Sequence, residues 1–320
     1  MMRIVFMGSG AFGVPTLEAI TGGGHELAGI VSQPDRPAGR GKELTPTPVS
    51  AWALAKGVRL ERVENVNDAA GVAMLRGFEA DILVVIAFGQ KLSDEVLATA
   101  ERGGINLHSS LLPKYRGAAP INWAIINGDK TAGVSVIEVM NVMDGGDVFA
   151  TAETPVGASE TAGELHDRLA VLGAPVMINV LNAIAAGTAQ RLKQDKALAS
   201  KAPKLKRELA WVDLAGTAEA ASARVRGLSP WPGVQLELID PTGKPRVTGT
   251  LVKCEAVAGN GVPGEVTRDG AIACGVGALK IHAFQPMGKR AMTVSDLVNG
   301  YKFGAGWRVR SVVTPPAAAI

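Results

Sequence analysis

Asn106 and His108 stand two residues apart in the segment Asn106-Leu107-His108-Ser109-Ser110-Leu111-Leu112-Pro113, and Asp144 follows 31 residues beyond Pro113 in Met143-Asp144-Gly145-Gly146-Asp147. In an extended segment, residues two apart project from the same face. An amide and an imidazole on one face of a strand end can bind a developing oxyanion through donated hydrogen bonds. A carboxylate delivered by a Gly-rich turn can orient the imidazole. That set fits acyl-type transfer without a covalent intermediate. Spacing alone does not separate Asp144 from Asp147, and either can be a simple turn residue. No Gly-x-Ser-x-Gly elbow, His-Glu-x-x-His helix or Walker lysine occurs, so the chemistries those motifs serve recede. The other histidines, His25, His166 and His282, lack such neighbours and read as structural or exposed.

The elements around these residues follow an alternating pattern. Residues 3–7, 26–32 and 81–87 are apolar runs of strand length, and residues 11–21, 49–56 and 68–78 carry helical patterns. This alternation predicts an α/β fold, a Rossmann-like, mostly parallel sheet with helices on both faces. The run 81–87 is the buried central strand, and Asn106 and His108 end the short apolar run 103–107 that follows it. Residues 134–140 and 147–154 read as an antiparallel pair joined by the Asp144-Gly145-Gly146 turn, and 164–186 as a long closing helix. Residues 33–48 form a polar loop with four prolines, two glycines and Arg36, Arg40 and Lys42. It is too long and too basic for a mere connector.

Beyond Gly187 the pattern changes. After a helix at 217–226 come short strands at 235–239, 246–254, 264–268, 271–274 and 278–284, punctuated by Gly and Pro, which predicts a small OB-like β-barrel. The expected organisation is a catalytic domain over 1–190, a basic linker over 191–207, the barrel over 208–314 and a disordered tail at 315–320.

Charge follows the same division. Residues 1–190 hold 14 Lys and Arg against 20 Asp and Glu, residues 191–207 hold 7 against 1, and residues 208–320 hold 12 against 9. A solvated linker explains the basic run as readily as a polyanion contact does, since clustered Lys and Arg neutralise phosphates. With 320 residues, 47% of them hydrophobic, two domains with real cores are expected. There is no run of about 18 apolar residues to span a bilayer. The apolar stretch after Arg3 is too short for a signal peptide. Cys254 and Cys274 show no metal-ligand spacing, and no metal is expected. Few cysteines and no export signal point to the cytoplasm.

One motif offers a rival reading. Gly8-Ser9-Gly10-Ala11-Phe12-Gly13 is a complete GxGxxG between a strand and a helix, the pattern of a dinucleotide site. The acidic partner it needs is poorly placed: Asp35 lies past Pro34, inside the polar loop rather than at a strand end. Glycines serving a tight turn and close strand–helix packing are the preferred explanation, with no nicotinamide cofactor.

Taken over nearly its whole length, the chain resembles the methionyl-tRNA formyltransferases. The resemblance is carried by residues 3–20, by the loop from Gln33 to Lys42, by the run from Asn106 to Pro120, and by Met143 to Asp147. Trp231-Pro232-Gly233 and Gln285-Pro286-Met287-Gly288-Lys289 add to it. The Asn-x-His plus Asp set is common to folate-dependent formyltransferases of this fold, and the basic loop and the barrel narrow the resemblance to the tRNA enzymes. It implies formyl transfer from 10-formyltetrahydrofolate to the α-amino group of initiator methionyl-tRNA. It also implies catalysis by Asn106, His108 and Asp144, and a folate wall formed by Ser110, Leu111, Leu112 and Pro113. The tRNA contacts expected are Arg36, Arg40, Lys42, Lys204, Lys206 and Arg207, on a monomer.

Rival readings keep different parts of this. A formyltransferase acting on a small amine, such as a nucleotide sugar, shares the chemistry but has no use for the basic loop and the barrel. A nicotinamide-dependent dehydrogenase uses only the glycine motif. A non-catalytic tRNA-binding protein has no need of Asn106, His108 and Asp144 together.

Overall fold

The structure, a computed structural model, describes residues 1–38, 41 and 43–316. Its strands are β1 Arg3–Gly8, β2 Glu26–Ser32, β3 Arg36–Ala38, β4 Glu43–Thr45, β5 Leu60–Arg62, β6 Ile82–Ile86, β7 Gly104–His108, β8 Arg116–Gly117, β9 Thr131–Glu138, β10 Val148–Pro155, β11 Lys201–Ala202, β12 Val234–Ile239, β13 Pro245–Val257, β14 Ile272–Ala273, β15 Ala278–Pro286, β16 Met292–Thr293 and β17 Arg308–Ser311. The α-helices are α1 Val14–Gly22, α2 Pro48–Lys56, α3 Ala69–Arg76, α4 Asp94–Leu97, α5 Pro120–Ile126, α6 Ala162–Ala185, α7 Ala218–Gly227 and α8 Val294–Tyr301.

The chain divides into two compact units: Met1–Gly117, Gly133–Thr154 and His166–Lys201 form the first, and Ala118–Ala132, Pro155–Leu165 and the chain from Ala202 onward form the second. The division therefore does not fall at one point. The basic stretch 191–207 is split, with 191–201 in the first unit.

The first unit is built on a seven-stranded sheet of order β10-β9-β7-β6-β1-β2-β5. β1 pairs in parallel with β2 and β6, β6 with β7 and β2 with β5, whereas β7 and β9 are antiparallel. Every residue of β6 is buried, as its unbroken Ile-Leu-Val-Val-Ile run requires of a strand covered on both faces. From β1 the chain winds outward through β2 and β5, then returns to β1's other side with β6 and β7. The strand order thus reverses between β1 and β6, and in such sheets ligands bind beyond the carboxyl ends at the reversal. Asn106 and His108 occupy the carboxyl end of β7, the neighbour of β6.

Local chemistry sets the helix ends. The Thr47 hydroxyl caps α2 by accepting from the Ser50 amide, and Asp68 caps α3 by accepting from Gly71. The first helix starts later than its pattern predicts: 11–13 form a 3₁₀ turn before α1. The segment 33–48, expected as a plain loop, contains the short antiparallel hairpin β3–β4. The 24-residue α6 is long and apolar enough to cross a bilayer by length and composition, unlike the expectation above. Its Leu165, Leu169, Met177 and Leu181 are wholly buried within the protein.

The second unit contains a six-stranded sheet in which β14, β15, β13, β12 and β17 follow one another and β16 joins β15. Its pairings are antiparallel. The segment expected as a strand at 264–268 forms only isolated bridges, Glu265 to Arg308 of β17 and Val266 to Ile272 of β14. Those bridges link the two end strands and nearly close the sheet into the expected barrel. Leu236, Leu238, Leu251, Leu279 and Phe284 fill its core, together with Ala218, Ala221 and Val225 from α7. The predicted tail falls partly outside the described residues, which stop at 316.

Candidate active site

His108 ends β7 opposite Ser135 of β9 and is 6% exposed. Its ring is held from two sides. Nε2 lies 2.9 Å from the carbonyl oxygen of Tyr115, a residue in the left-handed region at φ 64°. A carbonyl oxygen only accepts, so Nε2 carries the hydrogen of that bond. Nδ1 faces Asp144, 3.6 Å from Oδ1. The other carboxylate oxygen, Oδ2, accepts from the Gly117 amide at 2.8 Å. Asn106, half-buried, shares the strand face of His108, and its amide has no hydrogen-bond partner among the described residues. Asn106 and His108 thus stand two apart on β7, and Asp144, anchored by the Gly117 amide, lies beside the imidazole.

The turn that delivers Asp144 explains its glycines. Asp144 itself is left-handed, at φ 51°. A Cβ on Gly146 would lie 1.9 Å from the Glu138 carbonyl oxygen, so only glycine fits there. Asp147 contributes its backbone carbonyl, which accepts from Glu138 at 3.0 Å and closes the β9–β10 connection. Geometry separates the two aspartates where spacing did not, because only Asp144 is brought to the histidine.

The segment after β7 divides its residues between support and surface. Ser110 is 3% exposed and its hydroxyl donates to the Lys114 carbonyl. Leu112 packs in a buried cluster with Ile137 and Val148. Leu111 and Pro113 are half-buried, leaving them as the members of the predicted folate wall with side-chain surface to offer. Ser135, fully buried in β9, pins this segment by accepting from the Leu112 amide and donating to the Ser110 carbonyl. Sequence reasoning missed Ser135, although a lone hydroxyl inside an apolar strand was a legible signal. Tyr115 and Gly117 were also missed as site residues, and both act through backbone atoms that no residue type announces.

The glycine motif has a packing explanation. A Cβ on Gly8 would lie 2.5 Å from the Phe6 ring and 2.6 Å from the Ile86 carbonyl, and one on Gly13 would lie 2.8 Å from Phe6. Asp35, the candidate ribose ligand, is 2.9 Å from the Arg62 guanidinium in an ion pair. Of the predicted phosphate contacts, Arg36 is exposed on β3, and Lys204, Lys206 and Arg207 are exposed in the second unit. Arg40 and Lys42 lie outside the described residues.

Residues 2–181 match the family described as Formyl transferase, and residues 204–302 match its C-terminal domain. The methionyl-tRNA formyltransferase of Moorella thermoacetica is 40% identical over 307 residues, covering 95% of this chain and 98% of that protein. The methionyl-tRNA formyltransferase of Solibacter usitatus is 41% identical over 306 residues, covering 94% and 96%. Among solved structures, the sugar 3N-formyl transferase WlaRD, crystallised with dTDP and 5-N-formyl-THF, superposes with a TM-score of 0.65 at 17% identity, covering 91% of this chain and 99% of that one. HypX from Aquifex aeolicus, in complex with tetrahydrofolic acid, superposes with a TM-score of 0.64 at 18% identity, covering 95% and 48%. These last two establish a shared fold, and the match in sequence over nearly the full length establishes the closer kinship: the chain belongs to the methionyl-tRNA formyltransferase family.

Proposed function

We propose that this protein transfers the formyl group of 10-formyltetrahydrofolate to the α-amino group of initiator methionyl-tRNA, using Asn106, His108 and Asp144. The observation that carries the reading is the approach of Asp144 to His108 at the carboxyl end of β7, with Asn106 two residues earlier on the same strand. The amine nitrogen attacks the formyl carbon, forming the new C–N bond and an oxyanion. Collapse breaks the bond to N10 of the folate, which leaves with a proton, while the attacking nitrogen loses one. The Asn106 amide donates to the oxyanion. His108 gives its Nε2 hydrogen to Tyr115, so any donation to substrate uses a proton on Nδ1, beside Asp144. Asp144 orients the His108 ring and receives the proton lost by the amine, directly or through water.

The names of the relatives support methionyl-tRNA as acceptor. Leu111 and Pro113 flank the folate, with Ser110 and Leu112 holding their segment in place. Arg36, Arg40 and Lys42, with Lys204, Lys206 and Arg207, contact the tRNA phosphates. Formyl transfer between two nitrogens is neither oxidation nor reduction, so it calls for no nicotinamide, and no metal enters the steps above. The protein acts as a cytoplasmic monomer.

The direct test is formylated product from methionyl-tRNA and 10-formyltetrahydrofolate, with free methionine as control. The likeness to a sugar formyltransferase favours one second reading, transfer to a nucleotide-sugar amine. A dTDP-amino-sugar tried as acceptor in the same assay decides between them.

A further inference from the structure

Asp144 belongs to a turn that is held by a residue from far along the chain. The side-chain Nε2 of Gln194 donates to the carbonyl oxygens of Asp144 at 2.9 Å and Gly146 at 2.7 Å. The same amide cannot be reversed, because its Oε1 accepts from Arg116 Nε at 3.1 Å and Nη2 at 2.7 Å, and a guanidinium only donates. Six residues on, Ser200 grips the other partner of the histidine. Its Oγ accepts from the Tyr115 amide at 2.9 Å, its carbonyl accepts from Arg116 at 2.8 Å, and its amide donates to Pro113 at 3.3 Å. Tyr115 is the residue whose carbonyl receives His108 Nε2. Asp144 and Tyr115 are both non-glycine residues at positive φ, at 51° and 64°, a conformation that persists where the surroundings over-determine it.

We infer that the segment 191–201 is a brace that sets the separation of His108 from Asp144, with Gln194 and Ser200 as positioning residues. One end fixes the carboxylate through its own turn, and the other fixes the imidazole through Tyr115. Neither residue touches the reacting atoms. The inference rests on the proposed roles of His108 and Asp144. It gives the first part of the basic stretch a task separate from charge, since Gln194 and Ser200 are both uncharged.

Gln194→Glu distinguishes positioning from mere support. The glutamate keeps an acceptor for Arg116 and gains an ion pair with it, so a supporting role survives. It cannot donate to the two carbonyl oxygens, so the turn loses its hold. The expected result is a fall in kcat of about 100-fold, the scale of a misplacement near 1 Å, with KM for 10-formyltetrahydrofolate and for methionyl-tRNA unchanged and the melting temperature kept. Ser200→Ala should lower kcat in the same manner to a smaller degree. Wild-type kcat in Gln194→Glu overturns the brace, as does a loss confined to KM or one that tracks a fall in melting temperature. Should the glutamate variant not fold, Gln194→Ala carries the test on the same criteria. Asp144→Asn runs alongside: if it is inactive while Gln194→Glu is wild type, the brace alone fails, and if it is active, the reading of the site fails and the brace with it.

Discussion

His108 Nδ1 stands 3.6 Å from Asp144 Oδ1, while the opposite oxygen of that carboxylate is tied to the Gly117 amide at 2.8 Å. The carboxylate is therefore anchored by the backbone and approaches the imidazole without closing on it. The gap is longer than a formed hydrogen bond, and catalytic contacts of this kind commonly tighten once substrate is bound. Asp144→Asn keeps the shape and removes the charge, so it separates anchoring from proton handling. We expect kcat to fall by about 1,000-fold or more, as in other sites where a histidine loses its carboxylate, with folate affinity retained. Activity within a few-fold of wild type would remove Asp144 from the mechanism.

Asn106 is the simplest donor in the site, half-buried with its amide uncommitted. Asn106→Ala deletes one oxyanion contact and disturbs no hydrogen bond of the described structure. The expected cost is roughly 100- to 1,000-fold in kcat. Steady-state kinetics with both substrates varied gives the answer, and a change in KM alone would assign Asn106 to substrate binding instead.

What the sequence revealed and what it withheld follow from where the information lies. The unbroken apolar run of β6 announced a central strand because burial on both faces leaves no polar position. Asn106 and His108 announced a site because two side chains two apart must share a face. Spacing could not tell Asp144 from Asp147, which only the resemblance separated, since the difference is a backbone amide, that of Gly117, meeting one of them. The same holds for Tyr115, whose contribution is a carbonyl oxygen. Gln194 was invisible for another reason: it lies 50 residues past Asp144, and its amide meets backbone carbonyls that no spacing encodes. In the second unit the strand expected at 264–268 became two isolated bridges, since Pro263 and Gly264 begin the segment and Asp269-Gly270 turns it back.

The basic residues Lys204, Lys206 and Arg207 are exposed. If they meet tRNA phosphates, binding weakens steeply with salt, and each contact removed lowers the slope of log K against log salt by about 0.7 to 0.9. The triple alanine variant should therefore bind methionyl-tRNA more weakly and less salt-dependently, with KM for folate unaltered. Filter binding across a range of potassium chloride measures this, and an unchanged slope would place the tRNA elsewhere.

Cys254 and Cys274 are free and buried, and burial raises their thiols to about 12 and about 11. The nucleophile in thiol chemistry is the thiolate, so both should be inert in the folded protein at neutral pH. A thiol-reactive disulfide reagent should titrate neither cysteine in buffer and both in denaturant. Rapid reaction of a native thiol would contradict the burial of the two cysteines.

Asp240 turns the corner between β12 and β13 and carries the clearest pH signature of the fold. Its Oδ1 accepts from the Thr242 hydroxyl at 2.6 Å, the Thr242 amide at 2.9 Å and the Lys244 amide at 3.0 Å, and Oδ2 accepts from Arg246 at 2.6 Å. The Thr242 hydroxyl first, then the Lys244 amide and the Arg246 guanidinium, hold this carboxyl well below the usual carboxylate range. A depressed value in the folded state means the charged form is favoured there more than in the unfolded chain. The stabilisation is therefore complete above the unfolded value of about 3.9 and is lost as pH falls from there through the folded value. Asp240→Asn should be less stable than wild type at pH 7, with the gap narrowing as pH drops below about 4. Urea midpoints for both proteins at neutral and acid pH provide the comparison. A gap that stays constant across that range would show that the turn owes its stability to shape and not to the carboxylate charge.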